Sequence, residues 1–563
     1  MRPTHSVLLV AFFFAVGLSP HHWPGTCVRA QDYFGTRVFT EQDSLRGTLG
    51  PARANYDVTY YELHLDVDPV DQVIEGRVEM DYTILGQLPI LQIDLFENLQ
   101  IDGIEQEGKP LRYERRGNAV FVELPHPAQL GSRHRMTVHY GGKPVEAQNP
   151  PWDGGFVWAL DQRDRYWIGV ACEGDGASLW WPNKDHLSDE PDSMLISVTV
   201  PERLFVASNG NLREEVELEN ERKKRYDWFV SYPINNYDVS INVGHYEHFS
   251  DVYRSFDGEE LPLDYYVLDY NVARARKHFQ QVEPMLQAYE HYFGKYPFWD
   301  DGFALIETPY LGMEHQSGIA YGNRFMRGYL GGMIPSDMDW DYIIVHEAGH
   351  EYFGNSVSVA DHAEMWIHES FTTYMEALYV EYHFGGDDAR RYLKSQRRFV
   401  SNEEPMLGPL GVNFTDFKSS DHYFKGAWML HTLRNVLYDD PLFFGMLRSF
   451  YQDHQRTTVT TQEVIDYFSR YAGQDLQPFF DQYLKHPDLP RLQLRTNGEQ
   501  LEYRLQADVA GLAMPVGIFI GDERVRLLTT PDWQPMGKHV DPATVRIDDE
   551  RYLVDLEVLT EQK

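Results

Sequence analysis

Residues 342–350, with the sequence YIIVHEAGH, decide the fold of the middle of this chain. The apolar run before His346 predicts a helix that lies inside a protein. At 3.6 residues per turn, His346 and His350 project from one face of this helix about one turn apart, so both imidazoles can reach a single Zn²⁺ ion. Glu347 is turned far enough from that face to act on a metal-bound water instead of binding the metal. The stretch therefore predicts a metal site on a buried helix.

A third ligand follows on a second predicted helix, which spans residues 366–382. Eighteen residues separate Glu369 from His350. Two histidines and a glutamate, with one position left open, form the ligand set of a catalytic zinc, which lowers the pKa of water and polarises a carbonyl group. We therefore expect one Zn²⁺ per chain, held by His346, His350 and Glu369. Two buried histidines beside a surface acid would give the same pattern without a metal.

From about residue 50 to residue 485 the sequence resembles the zinc aminopeptidases of the gluzincin clan, the family of aminopeptidase N and the bifunctional leukotriene hydrolase. Residues 346–355, HEAGHEYFGN, look like the family's extended zinc helix, and residues 366–371, WIHESF, look like its third-ligand segment. The family usually has Asn-Glu-Gly where this chain has His368, Glu369 and Ser370. Neither departure replaces a ligand, so zinc binding is still expected.

Two carboxylates are expected to bind the N-terminus of the substrate. Residues 311–315, LGMEH, resemble the family's Gly-x-Met-Glu-Asn motif, with a leucine at its first position and a histidine in place of the final asparagine. The resemblance implies that Gly312, Met313 and Glu314 contact the substrate, with Glu314 on its free α-amine. An ammonium group in a partly dry cleft needs such a carboxylate partner. The segment CEGDGA at residues 172–177 stands where relatives carry Gln or Glu, so the resemblance makes Glu173 the second anchor.

The same resemblance implies two further roles. Residues 423–427, YFKGA, look like the family's Tyr-x-Lys-Gly element, which makes Tyr423 the hydrogen-bond donor to the oxyanion of a tetrahedral intermediate. Such a donor can contribute about 3 kcal/mol to stabilising the transition state. Glu364 stands five residues before Glu369 and matches an aspartate that orients a zinc ligand in relatives. A glutamate can fill that orienting role.

Hydrophobic patterning divides the chain into three folded parts. Alternation from Tyr56 to Val243 predicts short antiparallel strands, spacing of three or four residues from Asn271 onwards predicts helices, and alternation returns after Pro490. The predicted fold class is multidomain α+β. Its parts are an N-terminal β domain over residues 31–250, a mainly helical zinc catalytic domain over residues 251–490 and a small C-terminal β domain over residues 491–563. The resemblance implies that the N-terminal domain is saddle-like and that the catalytic domain is thermolysin-like. Many relatives have a long helical C-terminal domain, whereas strands are predicted there in this chain.

The first thirty residues are expected to be a secretory signal. Arg2 precedes an apolar run from Val7 to Leu18, and residues 28–30 offer a small-residue cleavage site. The run is shorter than the roughly twenty residues that span a bilayer. We therefore expect an exported protein, periplasmic or secreted, with no membrane span in the mature chain. An uncleaved N-terminal anchor would give the same pattern.

Composition excludes some partners. The 563 residues include 50 Lys and Arg against 86 Asp and Glu, which gives a net charge of −36. A chain this acidic repels the phosphate backbone of nucleic acids and the surface of anionic membranes. Neither is an expected partner.

The sequence as a whole predicts a zinc aminopeptidase that removes the first residue of peptides with a free N-terminus, with Glu347 as general base and Tyr423 as oxyanion donor. Three alternatives stay open. An epoxide hydrolase, known in one branch of the family, would use the same zinc. A thermolysin-like endopeptidase would lack the amine anchors, which Glu314 argues against. A zinc-stabilised binding protein would need a damaged base or oxyanion donor.

Overall fold

The computed structural model describes residues 37–125, 129–538 and 540–559. The predicted signal at residues 1–30 lies outside these ranges, so export stays a prediction. Along the described chain, strands come first, helices dominate the middle and strands return at the end. The predicted α+β class is confirmed.

The first part of the chain forms three sheets that follow one short helix, α1 (Glu41–Gly47). The strands are β1 (Tyr56–Asp68), β2 (Val73–Ile84), β3 (Ile90–Asp94), β4 (Leu99–Gln106), β5 (Lys109–Pro110), β6 (Arg112–Arg116), β7 (Ala119–Glu123), β8 (Arg133–Gly142), β9 (Gly155–Leu160), β10 (Tyr166–Ala171), β11 (Ser193–Pro201), β12 (Phe205–Ser208), β13 (Asn211–Leu218), β14 (Lys223–Val230) and β15 (Ile241–Gly244). The sheet orders are β13-β14-β11-β1-β2-β8-β4-β5, β12-β15-β10-β9 and β3-β7-β6. Pairing is antiparallel as predicted, except that β1 and β11 run parallel.

A five-stranded sheet lies between this part and the helices. Its strands are β16 (Tyr246–Arg254), β17 (Glu260–Leu268), β18 (Phe303–Glu307), β19 (Gly312–Met313) and β20 (Ile319–Tyr321), in the order β16-β17-β18-β20-β19. Successive side chains of a strand point to opposite faces. Leu305 accordingly packs in the apolar core of the helices, and Ile306 packs in the core of the N-terminal sheets. The predicted boundary at residue 250 falls inside β16.

The helices of the middle part are α2 (Val272–His278), α3 (Val282–Tyr292), α4 (Tyr342–His350), α5 (Trp366–Phe384), α6 (Gly386–Gln396), α7 (Phe424–Leu437), α8 (Asp440–Asp453), α9 (Thr461–Ala472) and α10 (Gln477–Lys485). Two short strands, β21 (Val357–Val359) and β22 (Thr457–Val459), pair in parallel. One continuous helix was expected from Asn271 to Gly294. A 3₁₀ turn at Phe279–Gln281 divides it instead, because Pro284 has no N–H to continue the helical hydrogen bonding.

The last part of the chain forms two small sheets. The strands are β23 (Arg491–Asn497), β24 (Gln500–Gln506), β25 (Met514–Ile520), β26 (Glu523–Thr529), β27 (Gln534–Lys538), β28 (Val545–Ile547) and β29 (Asp555–Leu559), in the orders β27-β24-β23-β29 and β26-β25-β28. Leu494 and Val516 of these sheets belong to the same apolar core as Trp428 of α7. This part therefore packs directly on the helices. Within the described ranges, none of the helices has the length and apolar character needed to cross a bilayer.

Candidate metal centre and peptide site

Helices α4 and α5 bring together the three predicted zinc ligands, and all three side chains are buried. The Nε2 atoms of His346 and His350 lie 3.2 Å apart. Oε2 of Glu369 lies 3.5 Å from the first nitrogen and 3.4 Å from the second. Tetrahedral zinc with ligands at about 2.0–2.1 Å separates those ligands by about 3.3 Å. The spacing of the three atoms therefore fits one zinc ion between them.

Hydrogen bonds on the far side of each ring determine where the protons are. Nδ1 of His350 lies 3.0 Å from the carbonyl oxygen of Phe353, and Nδ1 of His346 lies 2.7 Å from Oε1 of Glu376. Both partners accept, so each neutral ring carries its proton on Nδ1 and a lone pair on Nε2. Two lone pairs then face each other, and Oε2 of Glu369 has no hydrogen-bond partner among the described residues. A cation is the partner that all three atoms need.

Glu347 lies against the edge strand β19. A Cβ atom on Gly312 would stand 2.6 Å from Oε1 of Glu347 and 2.8 Å from Cγ2 of Ile343, so only glycine leaves room for the carboxylate. Burial raises the pKa of Glu347 to about 7. A carboxylate with a pKa near neutrality can both accept and return a proton.

Glu314 and Glu173 lie side by side next to the metal centre. Their carboxylate oxygens, together with a ring nitrogen of His368, lie within 4.8 Å of one another. Glu314 also forms a group within 4.8 Å with Glu347 and His350. A single cation can therefore contact Glu173 and Glu314 while lying beside Glu347 and His350.

Several hydrogen bonds hold the loop that carries Glu314. The side-chain amide of Asn355, the last residue of the extended helix motif, donates to the carbonyl oxygen of Glu314 over 2.7 Å. The backbone N–H of Ser317 donates to Glu351 over 2.8 Å, and the hydroxyl of Tyr237 donates to Oε1 of Glu314 over 3.3 Å. Asn355 and Glu351 of the helix motif thus hold the loop that carries Glu314.

Tyr423 lies beside the metal centre. Its ring stacks on the ring of His346, with centroids 6.0 Å apart. Burial, followed by the charges of Glu369 and Glu173, raises the pKa of Tyr423 well above its ordinary value, so the hydroxyl keeps its proton. The Ser370 hydroxyl donates to the carbonyl oxygen of His422 over 2.7 Å and holds this segment. A Cβ on Gly426 would collide with that hydroxyl, so this chain needs a glycine at position 426.

Residues 278–483 match the sequence profile of the peptidase family M1 domain. This region is an M1 peptidase domain. It contains α3 to α9, most of α10 and the residues of the metal centre described above. The resemblance inferred from the motifs is thereby confirmed.

The curated relatives that this chain matches are distant. Aminopeptidase N of Lactococcus lactis is 26% identical over 219 residues, which make up 37% of this chain and 26% of that protein. Aminopeptidase B of Mus musculus is 26% identical over 231 residues, 37% of this chain and 34% of that protein. Tricorn protease-interacting factor F2 of Thermoplasma acidophilum is 20% identical over 459 residues, 79% of this chain and 55% of that protein. The chain thus spans only about a quarter to about half of the length of these relatives.

A solved M1 structure shares the fold. A variant of the M1 zinc metallopeptidase from Deinococcus radiodurans, bound to a Tyr-Ser-Ala substrate, has a TM-score of 0.64 at 21% identity over 79% of this chain and 98% of that chain. A second structure of the enzyme gives the same TM-score at 22% identity. About four fifths of this chain therefore share the fold of that enzyme.

The carboxylate that contacts a predicted zinc ligand is one that the sequence did not predict. Glu364 was expected to contact a zinc ligand, but its Oε1 accepts from the backbone N–H of Thr461 over 2.7 Å. Glu376 contacts His346 instead and also accepts from Tyr392 over 2.5 Å. Glu376 follows Glu369 by seven residues, two helical turns, on the same face of α5. That spacing is the signal that could have identified it.

Proposed function

We propose that this protein is a zinc aminopeptidase that releases the first residue of peptides. The observation that carries the proposal is the position of Glu314, whose carboxylate lies within 4.8 Å of Glu173 on one side and of Glu347 and His350 on the other. A pair of carboxylates beside a hydrolytic centre selects a substrate whose cationic end is adjacent to the bond to be cleaved. The names of the M1 relatives, aminopeptidases N and B, support the same activity.

The metal is proposed to be one zinc per chain, bound by His346, His350 and Glu369. Zinc bound there supplies Lewis-acid chemistry, since it polarises a carbonyl group and lowers the pKa of water towards 7. Glu376 accepts the Nδ1 proton of His346, and the Phe353 carbonyl accepts that of His350. Both rings therefore present the nitrogen lone pair that a metal needs.

The amine anchors set the register of the substrate. The α-ammonium binds between Glu314 and Glu173, where its positive charge offsets two buried or half-buried carboxylates. Because the first carbonyl carbon is only two bonds from that nitrogen, it comes to lie beside Glu347. A peptide with a blocked N-terminus has no charge to place there. The site therefore selects the peptide bond that follows the first residue.

Glu347 and Tyr423 are proposed to carry out the proton transfer and the charge stabilisation. The carboxylate of Glu347 accepts a proton from the attacking water and returns it to the leaving amine. The protonated hydroxyl of Tyr423 donates a hydrogen bond to the carbonyl oxygen as negative charge develops on it. Each group has the protonation state that its role requires near neutral pH.

The proposal is tested by measuring zinc content and hydrolysis of alanyl and leucyl amides on the same preparation. We expect about one zinc per chain, loss of hydrolysis on chelation and recovery when zinc is restored. Glu347→Gln is expected to keep the zinc and to lower kcat by about 10²–10⁴. Full activity in a zinc-free chain, or unchanged turnover by Glu347→Gln, would reject the proposal.

A further inference from the structure

A row of aromatic rings runs from the metal centre to the loop between β20 and α4. The ring of Tyr342 stacks on the ring of His346, with centroids 5.2 Å apart. Tyr342 in turn meets the ring of Tyr329 edge to face, with centroids 5.7 Å apart. Tyr342 is buried, whereas Tyr329 is only half-buried. Tyr329 therefore forms the solvent-accessible end of this row.

Tyr329 lies on the side of Glu347 that is away from the amine anchors. Burial, followed by the charge of Glu347, raises the pKa of Tyr329 to about 12. Neither Glu314 nor Glu173 contributes to this change in the pKa of Tyr329. By contrast, Tyr237 donates to Glu314 over 3.3 Å, and burial raises its pKa together with the charges of Glu314 and Glu173. The two tyrosines therefore lie on opposite sides of the site.

The loop that carries Tyr329 is held in one conformation. The side-chain amide of Asn323 donates to the carbonyl oxygen of Gly328 over 2.7 Å, and its oxygen accepts from the N–H of Leu330 over 2.7 Å. The guanidinium of Arg327 donates to four carbonyl oxygens farther along the loop, over 2.6–3.4 Å. Leu330 has a φ of 48°, which is rare for a bulky residue. Such backbone strain persists only where the surroundings impose it, and it is concentrated at binding sites.

The second residue of a bound peptide reaches the same side of Glu347. The α-ammonium binds between Glu314 and Glu173, and Glu347 returns a proton to the nitrogen of the cleaved bond. That nitrogen belongs to the second residue, whose side chain therefore lies beyond Glu347 as seen from the anchors. We propose that Tyr329 binds the second side chain of the substrate and makes the enzyme prefer peptides with an apolar or aromatic residue there. This role rests on the proposed aminopeptidase activity.

Packing on the ring explains the expected preference. An apolar or aromatic side chain that covers the accessible part of the Tyr329 ring removes apolar surface of both partners from water. Glycine at the second position has no side chain to pack. Because the loop is already ordered by Asn323 and Arg327, binding does not have to order the ring first.

The test compares kcat/KM for leucyl-phenylalanine amide and leucyl-glycine amide on the zinc-loaded full chain. We expect the first substrate to be favoured by about tenfold or more, as the burial of a large apolar side chain allows. Tyr329→Ala is expected to bring this ratio close to one. Tyr329→Phe keeps the ring and is expected to keep the preference. Circular dichroism and zinc content establish that each variant is folded.

Tyr113→Ala is the control, because Tyr113 is also partly exposed, at 40%, but lies on β6 of the N-terminal sheets. It is expected to keep the ratio of the parent chain. A ratio near one in the parent, an unchanged ratio in Tyr329→Ala, or an equal loss in Tyr113→Ala or Tyr329→Phe would overturn the proposal. Leucyl amide distinguishes the two levels, since it has no second side chain. If the parent failed to cleave leucyl amide, the proposed function would be rejected and the role of Tyr329 with it, whereas cleavage without a second-residue preference would reject only the role of Tyr329.

Discussion

Oε1 of Glu376 lies 2.7 Å from Nδ1 of His346, and this contact links two helices of the metal centre. Glu376 accepts from Gln396 over 3.0 Å as well as from Tyr392, so the carboxylate is itself held in place. The proton on Nδ1 and the orientation of the ring both depend on this one carboxylate. Glu376 is therefore expected to tune the affinity of the centre for zinc.

Glu376→Gln is predicted to weaken zinc binding by about 10- to 100-fold, because a neutral amide orients the His346 ring less firmly. Competition with a chromophoric chelator measures the change. Glu364→Gln is the matched control, since its side-chain oxygen can still accept from Thr461, and it is predicted to leave the affinity unaltered. If Glu364→Gln lost more zinc affinity than Glu376→Gln, then Glu364, not Glu376, would be the residue that orients the zinc ligand.

Gly312→Ala is predicted to lower kcat by about a hundredfold while zinc content stays the same. The new Cβ would stand 2.6 Å from Oε1 of Glu347 and displace the carboxylate, and a misplacement of about 1 Å can cost that much. Steady-state kinetics on leucyl amide measure the effect. Gly103→Ala, where a Cβ meets nothing within 4 Å, is the control. Normal kcat in Gly312→Ala would show that Glu347 does not depend on this close approach.

Tyr423→Phe is predicted to reduce kcat by about 10²–10³, with little change in KM or in zinc content. The hydroxyl is expected to act only when charge develops on the substrate oxygen, so its loss affects the transition state more than binding. Tyr352→Phe removes another buried hydroxyl, one that donates to the carbonyl of Gly294, and should leave kcat nearly intact. If the two variants lost kcat equally, Tyr423 would have no special part in the reaction.

Glu307 is predicted to make the protein less stable as the pH rises. Burial raises the pKa of this carboxyl from its ordinary value of 4.5 to about 7. Between these two values the unfolded chain has released the proton and the folded chain still holds it, so the free energy of unfolding falls with rising pH, by at most about 3 kcal/mol. Below pH 4.5 the contribution is constant.

Glu307→Gln removes this titration but keeps an acceptor for the N–H of Leu268. Its free energy of unfolding relative to the parent chain should therefore increase from pH 5 to pH 8. Urea unfolding at both values measures the difference. If the free energy of unfolding changed equally in the two proteins between pH 5 and pH 8, then Glu307 would ionise as easily in the folded state as in the unfolded one.

Much of the metal centre could be predicted because its parts are local. His346, Glu347 and His350 share one helical turn, so helix geometry brings them near one another. Glu369 follows at the spacing of the motif, although it lies on a different helix. Gly312 of β19 lies inside a recognisable motif, but the motif does not explain why a glycine is needed at that position. That reason is the approach of Glu347 from a different element, and such tertiary contacts have no local signal.

The fold was predictable as a class but not as a topology. Alternation identified β1 and β11 as strands, yet their parallel pairing joins segments more than a hundred residues apart in the chain. The short strands β18 to β20 were not predicted, because two to five residues are too few to show the alternation of apolar and polar residues that identifies a strand. The error on Glu364 has a similar cause: chain proximity to Glu369 suggested a contact, whereas the helix turns Glu376 towards His346.

The most direct test of the central claim is the ratio of kcat/KM for leucyl amide to that for N-acetyl-leucyl amide, measured on the zinc-loaded chain and on Glu314→Gln. The account predicts cleavage of the free-amine substrate alone, and a fall in its kcat/KM of about tenfold or more in Glu314→Gln, where one charged partner of the ammonium is lost. Comparable cleavage of the acetylated substrate, unaffected by Glu314→Gln, would contradict it and would make the protein an endopeptidase.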